Sequence, residues 1–161
     1  MATRRLMRML EQNHVGFRLS THRVAFSAMR TAEEAHVKGA EMAKSVALMV
    51  DGMPVLAVLP ATMNVSFKRM KELMGAKRIS LVDERMLDEY FPDCELGAMP
   101  AVGTMYKMPV VADRELEYDE RISFNAGTHK EIVTMAFNDW KRLTHPRFAD
   151  IHRSSMGELT I

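Results

Sequence analysis

Two apolar runs joined by a tight turn constrain this chain more than any other feature. Ser45 to Val50 and Val55 to Leu59 flank Asp51-Gly52, a pair that supplies the positive φ needed to reverse a chain, so the stretch reads as a β-hairpin. Both runs are apolar almost throughout instead of alternating, which predicts strands covered on both faces in the middle of a sheet. Lys44 stands at the mouth of the first run. An ammonium there must reach water or hold a partner, because burying it alone costs several kcal/mol.

The rest of the chain is consistent with one domain built around that hairpin. Its 161 residues suffice for one core and are too few for two domains of ordinary size. Basic and acidic residues nearly cancel, 22 against 21, so any nucleic-acid footprint must be local. No apolar run approaches the ~20 residues that span a bilayer, and Met1-Ala-Thr-Arg-Arg lacks a secretory apolar core; the expectation is a cytoplasmic protein. Cys94 is the only cysteine, which excludes an internal disulfide and fits a reducing compartment. The 16 methionines are scattered at positions where Leu or Ile would serve, and read as core filling.

Taken in order, Thr3 to Glu11 forms an amphipathic helix and Phe17 to Ser20 a short strand. A second helix is expected from Ser27 to just before Gly39, then the hairpin. Ser66 caps a helix ended by Gly75, Ile79 to Val82 is a strand, and Asp83 caps a helix through Tyr90 that Pro92 forbids continuing. Leu96 to Gly103 carries two glycines and a proline and is a loop. Pro109 to Ala112 and Arg121 to Asn125 are strands, Glu131 to Met135 the last strand, and Asn138 or Asp139 starts a helix with Trp140 in the core. Pro146 is expected to open a short helical turn, and the end from about 153 to be a polar, frayed tail. The class is α+β: a single domain over 1–161, core about 17–145, with one curved, mixed sheet flanked by helices.

Most motif chemistry is absent: there is no P-loop, nucleophile elbow, His-Glu-x-x-His or Cys-x-x-Cys. Glu33-Glu34 and Glu115 to Glu120 read as solvated surface, His14, His145 and His152 as surface residues, and Asp113 as the cap of the turn after it. No metal site and no cofactor are expected. What remains is Lys44, the Gly97 to Gly103 loop, and Asn125-Ala-Gly-Thr-His129 after a strand. In order, Ala-Lys-Ser-Val-Ala-Leu, Val-Leu-Pro-Ala, Gly-Ala-Lys-Arg-Ile-Ser-Leu, Glu-Leu-Gly-Ala-Met-Pro and Phe-Asn-Ala-Gly-Thr-His resemble the YbaK/prolyl-tRNA-synthetase-associated domain family, from about His22 to Leu143.

That resemblance implies a trans-editing domain that hydrolyses the ester of mischarged aminoacyl-tRNA. The edited amino acid would be small, and the tRNA one for proline or a related one. It assigns the family's active-site lysine to Lys44 and its glycine-rich substrate loop to Gly97, Ala98, Met99, Pro100 and Ala101. Asn125, Gly127 and His129 match the pocket motif of one branch, and His22 falls near the pocket. The family loop runs Gly-x-x-x-Pro, whereas Pro100 here stands one place early and is followed by Ala101 and Val102. An aminoacyl ester needs only positioning, a water and stabilisation of the developing oxyanion. Charged Lys44 and backbone N–H groups at Gly97 and Ala98 suit that task, with small and flexible side chains at Ala98, Met99, Ala101 and Val102 admitting a small amino acid. The partners implied are the tRNA acceptor end, with Lys68, Arg69 and Lys71 on phosphate, and an aminoacyl-tRNA synthetase; no membrane and no DNA. Two other readings stand beside this one: a non-catalytic module that binds aminoacyl-tRNA or an aminoacyl compound, and a hydrolase of small esters unrelated to tRNA.

Overall fold

The computed structural model describes residues 1–22 and 41–154. The helix expected from Ser27 lies outside them. Strands β2 (Ala43–Val50) and β3 (Met53–Pro60) form the hairpin, in register from Ala43 opposite Pro60 to Val50 opposite Met53. Asp51 and Gly52 both take positive φ, +47° and +83°, as a two-residue type I′ turn requires. The Asp51 carboxylate accepts from the backbone N–H groups of Arg78 and Lys77, which hold it below the usual carboxylate range. The turn thereby docks the entry to β4 (Ile79–Leu81), which pairs with β2.

On the other side β3 pairs in parallel with β5 (Val110–Asp113), and β5 in parallel with β8 (Arg147–Ala149). The order β4-β2-β3-β5-β8 puts the hairpin in the interior of a five-stranded mixed sheet. Alternate residues face two cores. Ala43, Ala47, Leu56 and Val58 join a large core with Leu6 and Leu10 of α1 (Ala2–Gln12) and with Trp140 of α4 (Phe137–Thr144). Leu48, Val50, Val55, Ala57 and Leu59 pack on the other side with Met70 of α2 (Phe67–Met74), Ala149 and Ile151. Coverage on both faces is why the runs do not alternate.

The expected single sheet is divided. Strands β1 (Phe17–Thr21), β6 (Arg121–Asn125) and β7 (Glu131–Ala136) form an antiparallel sheet of order β1-β7-β6, joined to the larger one by a parallel bridge between Met42 and Ser123. The small sheet lays Ile122, Phe124, Val133 and Met135 on the large core. Ser66 and Asp83 cap α2 and α3 (Glu84–Tyr90) as expected, and Gly75 ends α2 with a left-handed φ of +61°.

Past Thr144 the expectations fail. Arg147–Ala149 is strand, not helical turn, and Glu131–Ala136 is therefore not the last strand. The reason is Asp113, which does more than cap a turn. Fully buried, it accepts at Oδ1 from Glu115 N–H, and at Oδ2 from Ile151 N–H, His152 N–H and the His152 ring. One carboxylate thus fixes the segment after β8 against β5. Nor is His152 a surface residue, since it is half-buried against that carboxylate. Asp113→Ala leaves buried N–H groups without acceptors and should cost about 3 kcal/mol. Asp113→Asn keeps one acceptor and should cost less, both read from the urea midpoint.

Candidate functional site

The Gly97 loop is a turn held from outside. Ala98 N–H donates to Glu95 C=O at 3.0 Å, and Gly97 takes φ +83°, the sign a type II turn demands at its third residue. A Cβ at Gly97 would meet only the His129 ring, at 3.6 Å, so glycine is needed there for its backbone conformation, not for space.

The segment after β6 supplies the clamp. Glu95 N–H donates to Gly127 C=O at 2.8 Å and Gly127 N–H to Ala98 C=O at 3.0 Å. His129 N–H donates to Glu95 Oε1, and His129 Nε2 lies 2.6 Å from Leu96 C=O. A carbonyl only accepts, so Nε2 carries the proton. Gly127, at φ +104°, lies so close to α1 that a Cβ would come within 2.4 Å of Ala2 Cβ. These bonds fix the Leu96–Gly97 peptide with its carbonyl on His129 and its N–H on the opposite side. Gly97 N–H donates to no described residue.

The sequence-assigned residues therefore divide by task. Gly97 offers a backbone donor, whereas the Ala98 N–H, expected to be free, is consumed by the turn. Ala98, Met99, Pro100 and Ala101 are buried, and Met99, Ala101 and Val102 belong to the large core, with Ala101 C=O accepting from Trp140 Nε1 at 2.7 Å. They form the floor under the turn, not an open lining. Gly127 and His129 are its braces. His22 arrives at the same edge from β1, its N–H donating to Lys130 C=O at 2.8 Å.

Lys44 comes from the neighbouring strand. The parallel bridge pairs Met42 with Ser123, and Lys44 and Asn125 each follow it by two residues, on strands that belong to different sheets and part beyond that single bridge. Asn125 Oδ1 is buried and has no hydrogen-bond partner among the described residues. Lys44 is half-buried, its Nζ 3.1 Å from Asn64 Oδ1. Desolvation, and after it the like charge of Arg153, lowers its pKa below the ordinary lysine value. Sequence reasoning missed Asn64 and Arg153, because only the return of the chain after β8 brings residue 153 to residue 64.

Asp113, Asp150 and His152 bring ligand atoms within 4.8 Å of one another. The Asp113 Oδ2 there already accepts from three N–H groups, so this cluster ties the chain together and does not suit a metal.

Residues 22–143 match the aminoacyl-tRNA editing domain family. The chain belongs to that family. A curated Escherichia coli K12 protein, described as the multifunctional Ser/Thr-tRNA deacylase ProXp-y, is 28% identical over 156 residues, covering 94% of this chain and 93% of its own. Its counterpart in Escherichia coli O157:H7 matches equally. Among solved structures, one described as a candidate trans-editing enzyme for prolyl tRNA synthetase superimposes with a TM-score of 0.82 at 17% identity, covering 95% of this chain and 98% of its own. The hypothetical protein APE2540 gives 0.82 at 18% identity, covering 92% and 99%. At that identity the structural likeness speaks for the fold, which is the α+β editing-domain fold. No helix among the described residues is long and apolar enough to cross a membrane.

Because like charge is one cause of the lowered Lys44 pKa, Arg153→Gln should raise it. Titration of the lysine ε-carbon by NMR, assigned with Lys44→Arg, should show the upward shift.

Proposed function

We propose that this editing domain removes a small amino acid from mischarged tRNA in trans, with Lys44 and the Gly97 N–H holding the ester carbonyl. The observation that carries this is the Leu96–Gly97 peptide, held by His129 through its carbonyl, with an N–H on the opposite side that donates to no described residue. A fixed backbone donor aimed at a developing oxyanion needs no reorganisation as charge builds. Lys44, whose pKa burial and then the like charge of Arg153 lower from the ordinary lysine value, supplies positive charge in its ammonium form to the same oxygen or to the adjoining phosphate.

In the reaction so built, a water oxygen bonds to the ester carbonyl carbon and the ester C–O bond to the terminal ribose breaks. The proton lost by the water reaches the departing ribose oxygen through the neighbouring ribose hydroxyl, leaving free amino acid and uncharged tRNA. No side chain forms a covalent bond. Asn125 Oδ1, buried and without a partner among the described residues, would accept from the α-ammonium or from a side-chain hydroxyl. The relatives described as Ser/Thr-tRNA deacylases make serine and threonine the first amino acids to try. Editing of this kind serves where a synthetase pocket gains only ~1 to 3 kcal/mol per methylene. Its setting would be the cytoplasm, with a synthetase supplying the mischarged tRNA and neither DNA nor membrane taking part.

A panel of tRNAs mischarged with serine, threonine and alanine tests the reading. At least one should be deacylated well above background, and Lys44→Ala should lower that rate about 100-fold or more. Binding of the whole panel without turnover would favour a non-catalytic module. Turnover of small esters that ignores the tRNA would favour the third reading.

A further inference from the structure

The chain after β8 does not fray at residue 153. Ser66 N–H donates to Ile151 C=O at 2.7 Å, Val65 bridges to His152, and Arg153 N–H donates to Asn64 C=O at 2.8 Å. Arg69 Nη1 donates to His152 C=O at 2.9 Å, and Arg153 Nε to Val65 C=O at 3.4 Å. Asn64 is the joint, because its side chain holds Lys44 Nζ at 3.1 Å while its backbone carbonyl holds Arg153.

The Lys44 ammonium and the Arg153 backbone thus meet at one asparagine, with the Arg153 guanidinium on the carbonyl of the next residue. Neither Lys44 nor Arg153 makes an ion pair with a carboxylate among the described residues. Asp113 and Asp150 gather at His152, and Asp113 is spent on N–H donors. The terminal nitrogens of Arg153 donate to no described residue, and the side chain is exposed. Like charges held together without a counter-ion favour an anion between or above them. A planar fork with free N–H groups suits a phosphate better than a point charge does.

We propose that Arg153, seated on Asn64 and Val65 beside Lys44, binds the phosphodiester that joins the terminal nucleotide of the tRNA to the one before it. This rests on the deacylase reading above. It follows from the substrate's chemistry: an aminoacyl ester has no free carboxylate, so the anion nearest its reacting carbonyl is that phosphate, one ribose away. Arg153 is then a binding residue that registers the acceptor end, and the buried Asp113 positions it through His152.

The test compares wild type, Arg153→Gln and Arg153→Lys on mischarged tRNA and on the same amino acid esterified to adenosine, which carries no phosphate. Arg153→Gln should raise KM for the tRNA about tenfold with kcat within twofold, Arg153→Lys should recover part of it, and the loss of kcat/KM should be several-fold smaller on the adenosine ester than on the tRNA. The salt slope of binding to uncharged tRNA should fall by about one for Arg153→Gln. An equal loss on both substrates, a loss confined to kcat, or an unchanged KM and salt slope would overturn the proposal. If wild type hydrolyses nothing, the deacylase reading fails, and the salt slope with uncharged tRNA still decides whether Arg153 meets a phosphate. Competition by adenosine 5′-monophosphate that disappears in Arg153→Gln supports the seat. Competition that is unchanged in the variant counts against it.

Discussion

The site depends on the orientation of one peptide plane. The Leu96–Gly97 peptide can present either its carbonyl or its N–H to a ligand, and the two choices are opposite in charge. The hairpin loop after β6 makes the choice, because His129 donates to Leu96 C=O while Gly127 and the His129 backbone pin the residues on either side. Gly97 alone tolerates the φ that results. A loop thus becomes a rigid donor without a helix or strand of its own.

That constraint explains the architecture around it. Gly127 must approach Ala2 too closely for any side chain, so α1 closes against the clamp. Thr3 Oγ1 of α1 donates to Ala126 C=O at 2.7 Å, fastening the same loop from beneath. The core residues Met99, Ala101 and Val102 anchor the far side of the turn, with Trp140 bonded to Ala101. Pro100, one place earlier than in the resembling family, is buried within this anchor, and its rigidity serves the floor of the turn.

Much of this was legible in the sequence where a local rule decides the outcome. Asp51-Gly52 must turn, Ser66 and Asp83 must cap, and Gly75 must end a helix, because each acts on its immediate neighbours. Lys44 and Gly97 stand out locally, as a charge on an apolar strand and a glycine in a loop. What could not be read was long-range. Arg147–Ala149 is too short to show a period and becomes a strand only because β5 offers an edge and Asp113 holds the chain beyond it. The fate of the Ala98 N–H, the bracing role of Gly127 and His129, and the seat of Arg153 on Asn64 all join residues remote in sequence. The split into two sheets was likewise hidden, since nothing local marks where β2 leaves β6 after a single bridge.

In the proposed site the Gly97 N–H and Lys44 converge on one carbonyl oxygen. A crystal structure with an adenosine whose 3′ position carries serine through a stable amide in place of the ester tests it most directly. The amide oxygen should lie within hydrogen-bond distance of Gly97 N and Lys44 Nζ, with the Leu96 carbonyl still on His129. An aminoacyl group lodged elsewhere, or bound here with the Leu96–Gly97 peptide turned over, would contradict it.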